Sequence, residues 1–199
     1  QLNHLTGSIG NFQLLDDTLK LTETKLSFIE RSGLEVQQLE TSFVMQPKLM
    51  LFDKLNLKMP NTYFKSKLAL NFNNTDAFSD FGNKVQLTAN LTNTYFNLQS
   101  ISPFIPAESL VTLNKNFLNE KINANGIIKG TVNHLRSNQL QLTVGETQKF
   151  NGDIVLKNIV DIENAQLFSD SIIVESNLNY INENIAKLPK QVVAFNKAK

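Results

Sequence analysis

The residues that could carry metal or acid–base chemistry are few and stand far apart in the sequence. The chain has two histidines, His4 and His134, and neither has a second ligand-type residue at the spacing that a zinc site requires. Asp16 and Asp17 are adjacent carboxylates, but neighbouring residues on a strand point to opposite faces and cannot share a proton. We therefore interpret the histidines as surface or turn residues and the aspartates as a solvated turn.

Other short motifs give no stronger indication of a reaction. Asn73-Asn74-Thr75 and Asn90-Leu91-Thr92 match the N-glycosylation pattern, but chance matches are expected in a chain so rich in asparagine. Gly7-Ser8-Ile9-Gly10 is too short for a phosphate-binding loop, and no Ser-His-Asp or Cys-His set can be assembled. The sequence thus predicts a protein that is not an enzyme and that uses no cofactor and no metal.

The composition narrows the class of protein and its partners. The 199 residues carry a formal net charge of +1 without a basic block, so nucleic acid is not an expected partner. Cysteine is absent, which excludes thiol chemistry, and no apolar run approaches the ~20 residues of a membrane-spanning helix. No signal peptide is visible, and the chain opens at Gln1 in mid-pattern. We expect a piece of a longer polypeptide whose targeting signals lie elsewhere.

Alternation of apolar and polar residues is the dominant pattern of the chain. From Lys121 to Asn133, apolar or small residues occupy every second position, polar residues occupy the others, and Ile127 is the one exception. Successive side chains of a strand point to opposite faces, so this pattern describes a sheet with one apolar and one polar face. Because similar segments recur along most of the chain, we predict an all-β, mainly antiparallel fold, an elongated curled sheet with one or two short helices.

Breaks in the alternation give the predicted strand limits. Turns are expected at Arg31–Gly33, Gln46-Pro47 and Pro60-Asn61, and a bulge or turn near Asn93-Thr94 explains a one-residue shift of the alternation. The predicted strands are Asn11–Leu15, Thr18–Thr22, Lys25–Glu30, Leu34–Leu39, Thr41–Gln46, Lys48–Phe52, Lys54–Met59, Tyr63–Asn73, the alternating segment from Val85 to Leu98, Lys121–Asn133, Gln139–Gly145, Lys149–Lys157 and Ser171–Asn179.

Three segments depart from the strand pattern. Asn73–Asn83 is predicted to be a loop or short helical turn with Phe78 and Phe81 packed down, and Asn182–Leu188 a brief helix before Pro189. Ser100–Glu120 is predicted to be a short helix or a loop that caps one end of the sheet. We divide the chain into a first sheet block (1–76), a second block that continues it (77–190) and a tail (191–199), with a weak internal repeat between the blocks.

The apolar face of the predicted sheet has two interpretations that periodicity cannot separate. Either the faces pack on each other in a closed sandwich core, or the sheet curls into a groove whose apolar lining stays open for an acyl chain. In the second case the predicted lining residues are Leu26, Phe28, Leu68, Leu70, Val85, Leu87, Ala89, Leu91, Ile122, Ile128, Val132, Leu140, Leu142, Val144, Ile154, Leu156, Ile172 and Val174.

Several segments resemble a known family. The run from Leu26 to Leu34, then Leu39 and the run from Leu55 to Thr62, resembles the N-terminal half of TamB-like proteins from Bacteroidetes-type bacteria. Met59 stands where that family's pattern has Thr, and Thr62 where it has Ser. Further similarity lies in Phe78–Phe81, Val85–Ala89, Leu98, Ile101, Pro103-Phe104, Gly126–Val132 and Phe150–Ile154, so that the resemblance covers residues 20 to 190.

The resemblance favours the open groove and implies a function. Members of the family are similar to AsmA-like and chorein-like bridge proteins, which are anchored in the inner membrane, cross the periplasm as a β-taco and carry phospholipid toward the outer membrane. For this chain it implies phospholipid acyl chains as cargo, a TamA-like or BamA-like barrel as partner, and a periplasmic location with an inner-membrane anchor outside these residues.

A second hypothesis from another class stays open. The sheet could act as an assembly scaffold, whose edges and asparagine-rich outer face bind nascent outer-membrane proteins by β-strand addition. An extracellular β-solenoid adhesin is a remote third option, because such repeats are usually tighter and richer in glycine than a chain with 8 glycines.

Overall fold

The computed structural model describes residues 2–30, 33–100, 102, 118–158 and 164–176, and in this part of the chain it shows one open antiparallel sheet. The all-β prediction is therefore confirmed. The twelve strands are β1 (Leu2–Ser8), β2 (Asn11–Leu15), β3 (Thr18–Glu30), β4 (Glu35–Gln46), β5 (Leu49–Met59), β6 (Thr62–Asn71), β7 (Gln86–Phe96), β8 (Ile122–Thr131), β9 (His134–Val144), β10 (Gln148–Lys157), β11 (Gln166–Phe168) and β12 (Ile172–Glu175).

The strands follow one another across the sheet in chain order. From β3 to β10, each strand pairs with the strand before it and the strand after it, as in a meander. Each edge of the sheet consists of two short strands. At one edge, β1 and β2 both pair with β3, and at the other, β11 and β12 both pair with β10. Ten strand positions therefore lie side by side, which at about 4.8 Å per spacing gives a sheet about 43 Å wide.

Several strands that the sequence predicts as separate pieces are single long strands. Thr18–Thr22 and Lys25–Glu30 together form β3, and the predicted pairs on either side of Glu40 and Asp53 likewise merge into β4 and β5. The sequence pattern breaks in β3 and β5 because a bulge shifts the alternation by one residue without ending the strand. The predictions miss β1, β11 and the first half of β9.

A short helical segment, which we name the cap, connects β6 to β7. It consists of a 3₁₀ helix (Thr75–Asp80) and one helical turn, α1 (Phe81–Lys84). Phe78 packs against a core of Phe72, Ala77 and Val85, as predicted for this segment. The prediction for Phe81 is wrong: the residue is 37% exposed, although its ring centroid lies 6.1 Å from that of Phe78.

The other two helix predictions fall mainly outside the described residues. Within Ser100–Glu120, Leu118 and Asn119 are helical and Leu118 is buried, and the backbone N–H of Gln99 donates to the carbonyl of Leu118. Residues 182–188 and the tail 191–199 lie outside the described part of the chain. The division into two blocks stays a prediction, and the sheet itself continues across that boundary through the pairing of β6 with β7.

Candidate functional site: an apolar groove

The two faces of the sheet differ in chemistry, and rows of paired residues show this directly. Residues that face each other across antiparallel strands lie on the same side of the sheet. One such row crosses the sheet through Leu19, Met45, Met50, Leu70, Leu87, Gly130, Leu135, Leu156 and Leu167. We call the side that carries this row the inner face. On the other side, the outer face, Lys25, Glu40, Asn56 and Lys65 form a polar row.

A line of β-bulges crosses the middle of the sheet on alternate strands. Glu23 in β3, Lys54 in β5, Asn93 in β7 and Gln139 in β9 have φ values of 50°, 53°, 49° and 55°, in the left-handed region. The strand pairing shifts beside each of them. The bulge predicted near Asn93-Thr94 is thus confirmed. Because a bulge bends its strand, we call this line the crease and the sheet halves on either side its walls. The first wall reaches the Pro60-Asn61 turn, and the second wall reaches the cap.

We take the crease as the floor of a candidate groove, because the inner-face side chains along it are buried. Along the crease the inner-face side chains are mostly small, and Thr94 and Ala124 are 1% and 2% exposed. Inner-face leucines and phenylalanines of the walls, such as Leu68, Leu87 and Phe64, are only half-buried. The inner face therefore combines a buried floor with walls on which some large apolar side chains are partly accessible and others, such as Val36, Met59, Ile122 and Val144, are buried.

Hydroxyl side chains on the floor stabilise the bulged backbone. The Thr41 hydroxyl donates to the carbonyl of Asp53 at 2.9 Å, and the Ser137 hydroxyl donates to that of Ile127 at 2.7 Å. Thr94 Oγ1 accepts from the N–H of Lys65 and donates to its carbonyl, both at 3.1 Å. These bonds satisfy backbone groups that the shifted pairing leaves without a ladder partner.

Polar side chains of the outer face satisfy two of the bulge N–H groups. The N–H of Asn93 donates to Asn125 Oδ1 at 2.7 Å, and the N–H of Gln139 donates to Asp153 Oδ1 at 2.8 Å. Two floor hydroxyls, Thr24 Oγ1 and Ser66 Oγ, are buried without a hydrogen-bond partner in the described part of the chain. The bulges are therefore supported from both faces of the sheet.

Sixteen of the eighteen predicted lining residues lie on the inner face, by their pairing or by alternation with paired neighbours. Val85 lies in the core of the cap and is fully buried, so it closes the rim of the second wall. Val132 is misplaced by the prediction, because the β8 strand ends at Thr131 and Val132 lies in the hairpin turn. The sixteen are Leu26, Phe28, Leu68, Leu70, Leu87, Ala89, Leu91, Ile122, Ile128, Leu140, Leu142, Val144, Ile154, Leu156, Ile172 and Val174.

Sequence reasoning missed a set of large inner-face residues on β4 to β7. Phe43 and Phe52 face each other across β4 and β5 with ring centroids 4.9 Å apart, and Phe64 packs against the Ala89, Leu91 and Ala124 core. The sequence did carry a signal for these residues. In β5 the apolar residues change from even positions, Met50 and Phe52, to odd positions, Leu55, Leu57 and Met59, as expected when a bulge interrupts one continuous strand. Other missed inner-face residues, some of them on β3, β9 and β10, include Leu19, Leu21, Val36, Leu39, Met45, Phe96, Leu135 and Phe150.

In the described part of the chain, no second layer of strands packs on the inner face. All twelve strands belong to one sheet, and their main backbone contacts are with their neighbours in that sheet. The cap adds contacts with β8 at the rim. The described residues therefore form an open sheet with an apolar inner face, rather than a pair of sheets sharing a closed core.

The residues considered for acid–base or metal chemistry lie away from the groove floor. Asp16 and Asp17 form the exposed turn between β2 and β3, as predicted, and His134 is exposed at the start of β9. His4 lies in the edge strand β1. In the part of the chain that the structure describes, no cluster of three or more His, Cys, Asp or Glu residues could hold a metal ion. No helix there is long and apolar enough to cross a membrane.

Comparison of the chain with protein-family models, with curated proteins and with solved structures finds no match in any of the three. The resemblance to TamB-like proteins therefore stays a prediction. The geometry of the groove is what bears on function.

Proposed function

We propose that this chain is a segment of a lipid-carrying bridge protein, in which the inner-face groove shelters phospholipid acyl chains. The observation that supports the proposal is the row of apolar side chains from Leu19 to Leu167, which crosses nine strands interrupted only by Gly130. The side chains of this row are partly exposed, so the row offers an apolar surface to a ligand.

The energetics of the cargo fit such a surface. Each methylene that leaves water gains about 0.8 kcal/mol, so a 16-carbon tail gains roughly 13 kcal/mol when it is fully covered. A carrier needs only to keep those carbons out of water, and this requires no reactive side chain. An unbroken apolar lining therefore accounts for the function without a catalytic residue.

The length of the groove exceeds that of one acyl tail. The groove follows the crease across ten strand positions, about 43 Å at 4.8 Å per spacing. The hydrocarbon core of a bilayer is about 30 Å thick and holds two leaflets of tails, so one tail needs about 15 Å. A tail lying along the crease can therefore shift by more than its own length within this segment.

The wider role follows from the sequence resemblance and is part of the same proposal. The groove is one section of a periplasmic path from an inner-membrane anchor toward the outer membrane, with a TamA-like or BamA-like barrel as the partner at its end. The movement of phospholipid along this path would support outer-membrane biogenesis.

A photo-crosslinking experiment tests whether phospholipid binds the inner face, with the outer face of the same strands as the control. A photoreactive amino acid replaces Leu87, Ile128 or Leu142 on the inner face, and Gln86, Lys129 or Gln141 on the outer face. Each inner position is half-buried and each outer position is its exposed neighbour in the same strand. After incubation with vesicles of labelled phosphatidylethanolamine and illumination, we expect labelled lipid on the inner-face variants only.

Ile154 and Asp153 are unsuitable for this pair design. Ile154 is buried in the floor, and the Asp153 carboxylate accepts a hydrogen bond from the bulge N–H of Gln139.

Equal labelling at inner and outer positions, or no labelling at any inner position, would contradict the proposal.

A further inference from the structure

Exposed apolar side chains are concentrated on the two edges of the sheet. Among the described residues, eleven large hydrophobic side chains are exposed, and nine of them lie on or between the edge strands. The two others are Phe81 in the cap and Ile127 on the outer face. The nine are Leu5, Ile9, Phe12, Leu14 and Leu15 at the first edge, and Leu167, Phe168, Ile173 and Val174 at the second. Isolated exposed residues are ordinary, but such a concentration on the edges indicates a surface that is covered.

In the part of the chain that the structure describes, the backbone at both edges is also unpaired on the side that faces away from the sheet. Within the described residues, β1 and β2 pair only with β3, and β11 and β12 pair only with β10. Such edges present rows of free N–H and C=O groups that can template another strand. Natural edges usually carry lysine, proline or inward-pointing charge to prevent this. Phe12 and Leu14, each 65% exposed on β2, offer no such protection.

The crease reaches both edges, so the positions of the edge strands can be compared by their distance from it. The first edge is interrupted at Ile9-Gly10, where Gly10 lies against the side chain of the bulge residue Glu23. The second edge is interrupted at Ser169–Ser171, beside Gly152 in β10. Each edge therefore has one short strand on the first wall, β1 or β12, and one on the second wall, β2 or β11.

The directions of these strands make the two edges complementary. On the first wall β1 runs toward the crease, whereas β12 runs away from it. On the second wall β2 runs away from the crease, whereas β11 runs toward it. If the creases of two copies are aligned, β12 of one copy lies antiparallel to β1 of the next, and β11 lies antiparallel to β2. Inner-face residues such as Val174 and Leu5, or Leu167 and Leu14, then fall on the same side of the joined sheet.

We propose that copies of this chain associate head to tail through these two edges, so that the groove continues from one copy into the next. The contact is heterologous, because the second edge of one copy meets the first edge of another, and such contacts produce open assemblies. The inference concerns the backbone and the apolar residues of the edges, and it does not depend on what the groove carries.

Sedimentation velocity of the full chain with one variant for each edge tests the association. The first-edge variant carries Phe12→Lys and Leu14→Lys, and the second-edge variant carries Leu167→Lys and Val174→Lys. All four side chains are between 40% and 65% exposed and point to the inner face, so the substitutions place charge in the junction with little effect on the monomer. The matched control is Ile127→Lys, which is 44% exposed on the outer face of a central strand.

We expect the unmodified chain and the Ile127→Lys variant to form dimers and larger species as concentration rises. Each edge variant alone should remain monomeric, because one of its two edges is blocked. A 1:1 mixture of the edge variants should form a dimer and nothing larger, since each partner contributes its intact edge. Circular dichroism of every variant should keep the strand spectrum of the unmodified chain.

Several results would overturn the proposal. An unmodified chain that stays monomeric at every concentration removes it, whether or not foreign strands bind the edges. Dimerisation of the second-edge variant on its own shows that the first edge pairs with its own copy instead. Loss of association in the Ile127→Lys control places the contact on the outer face. Lipid crosslinking at Leu142 serves a different purpose: if the monomeric edge variants still crosslink lipid there, lipid binding does not require association, and the two proposals can fail independently.

Discussion

Glycine substitutions at two lysines of one strand test whether the crease is made by left-handed bulge residues. Lys54 and Lys58 both lie on β5 and both are exposed, but only Lys54 has a positive φ, 53°. Lys54 is therefore strained and Lys58 is an ordinary strand residue. Because residue type and strand are the same, the comparison isolates the backbone conformation.

The expected free-energy changes have opposite signs. An L-residue in the left-handed region costs about 1–2 kcal/mol, which glycine relieves. Glycine also costs roughly 0.5–1 kcal/mol of backbone entropy in a strand. Lys54→Gly should therefore raise the free energy of unfolding by about 0 to 1.5 kcal/mol, and Lys58→Gly should lower it by about 0.5–1 kcal/mol. Lys54→Val should be the most destabilising of the three, since a β-branched residue tolerates this conformation worst.

Thermal and urea unfolding followed by circular dichroism measure these differences. For a chain of this size, each kcal/mol shifts the midpoint by about 2–4 °C, so the two glycine variants should differ by about 1–10 °C. An equal loss of stability in both glycine variants would refute the bulge at Lys54. The parity flip in β5 would then require another explanation, such as two separate strands.

Two further pairs of variants examine the floor and the lining of the groove. Thr94→Val removes a hydroxyl that bonds both the N–H and the carbonyl of Lys65, and it should lower the free energy of unfolding in urea by about 1–3 kcal/mol. Thr24→Val removes a hydroxyl without a hydrogen-bond partner and should leave the free energy of unfolding nearly unchanged. Equal effects of the two substitutions would contradict the assigned hydrogen bonds. Leu142→Asp places an unpaired carboxylate in the proposed path of the acyl chain, so it should abolish lipid crosslinking while the circular dichroism spectrum still shows strands. The substitution of its outer-face neighbour, Gln141→Asp, should leave crosslinking unchanged. If Leu142→Asp unfolds the chain, the open groove is wrong.

Local alternation predicts the fold class and the face on which most of the named residues lie, because successive side chains of a strand point to opposite faces. The segment from Ile122 to Gly130 keeps one parity throughout β8, and its inner-face residues were all assigned correctly. The bulge at Asn93 was predictable because both halves of β7 alternate clearly, so the one-residue shift between Leu91 and Thr94 is visible.

The features that escaped prediction depend on longer-range geometry. At Lys54 the sequence predicts a boundary between two strands, because residue type gives no sign of the left-handed backbone of a bulge. The edge strand β1 escaped because its register is set by pairing with β3, and its own residues alternate poorly. The exposure of Phe81 cannot be predicted from its residue type, because it depends on the path of the cap.

The chain-order arrangement of β3 to β10 has a consequence for how the molecule forms. Each of these strands pairs only with the strands before and after it in the chain, so no pairing among them has to bring the two ends of the chain together. Most connections between these strands are short turns with a low cost of loop closure, whereas the connections from β6 to β7 and from β7 to β8 are longer. Growth can proceed from one end, hairpin by hairpin, without waiting for the opposite terminus. The exposed leading strand at each stage is the surface most open to mispairing.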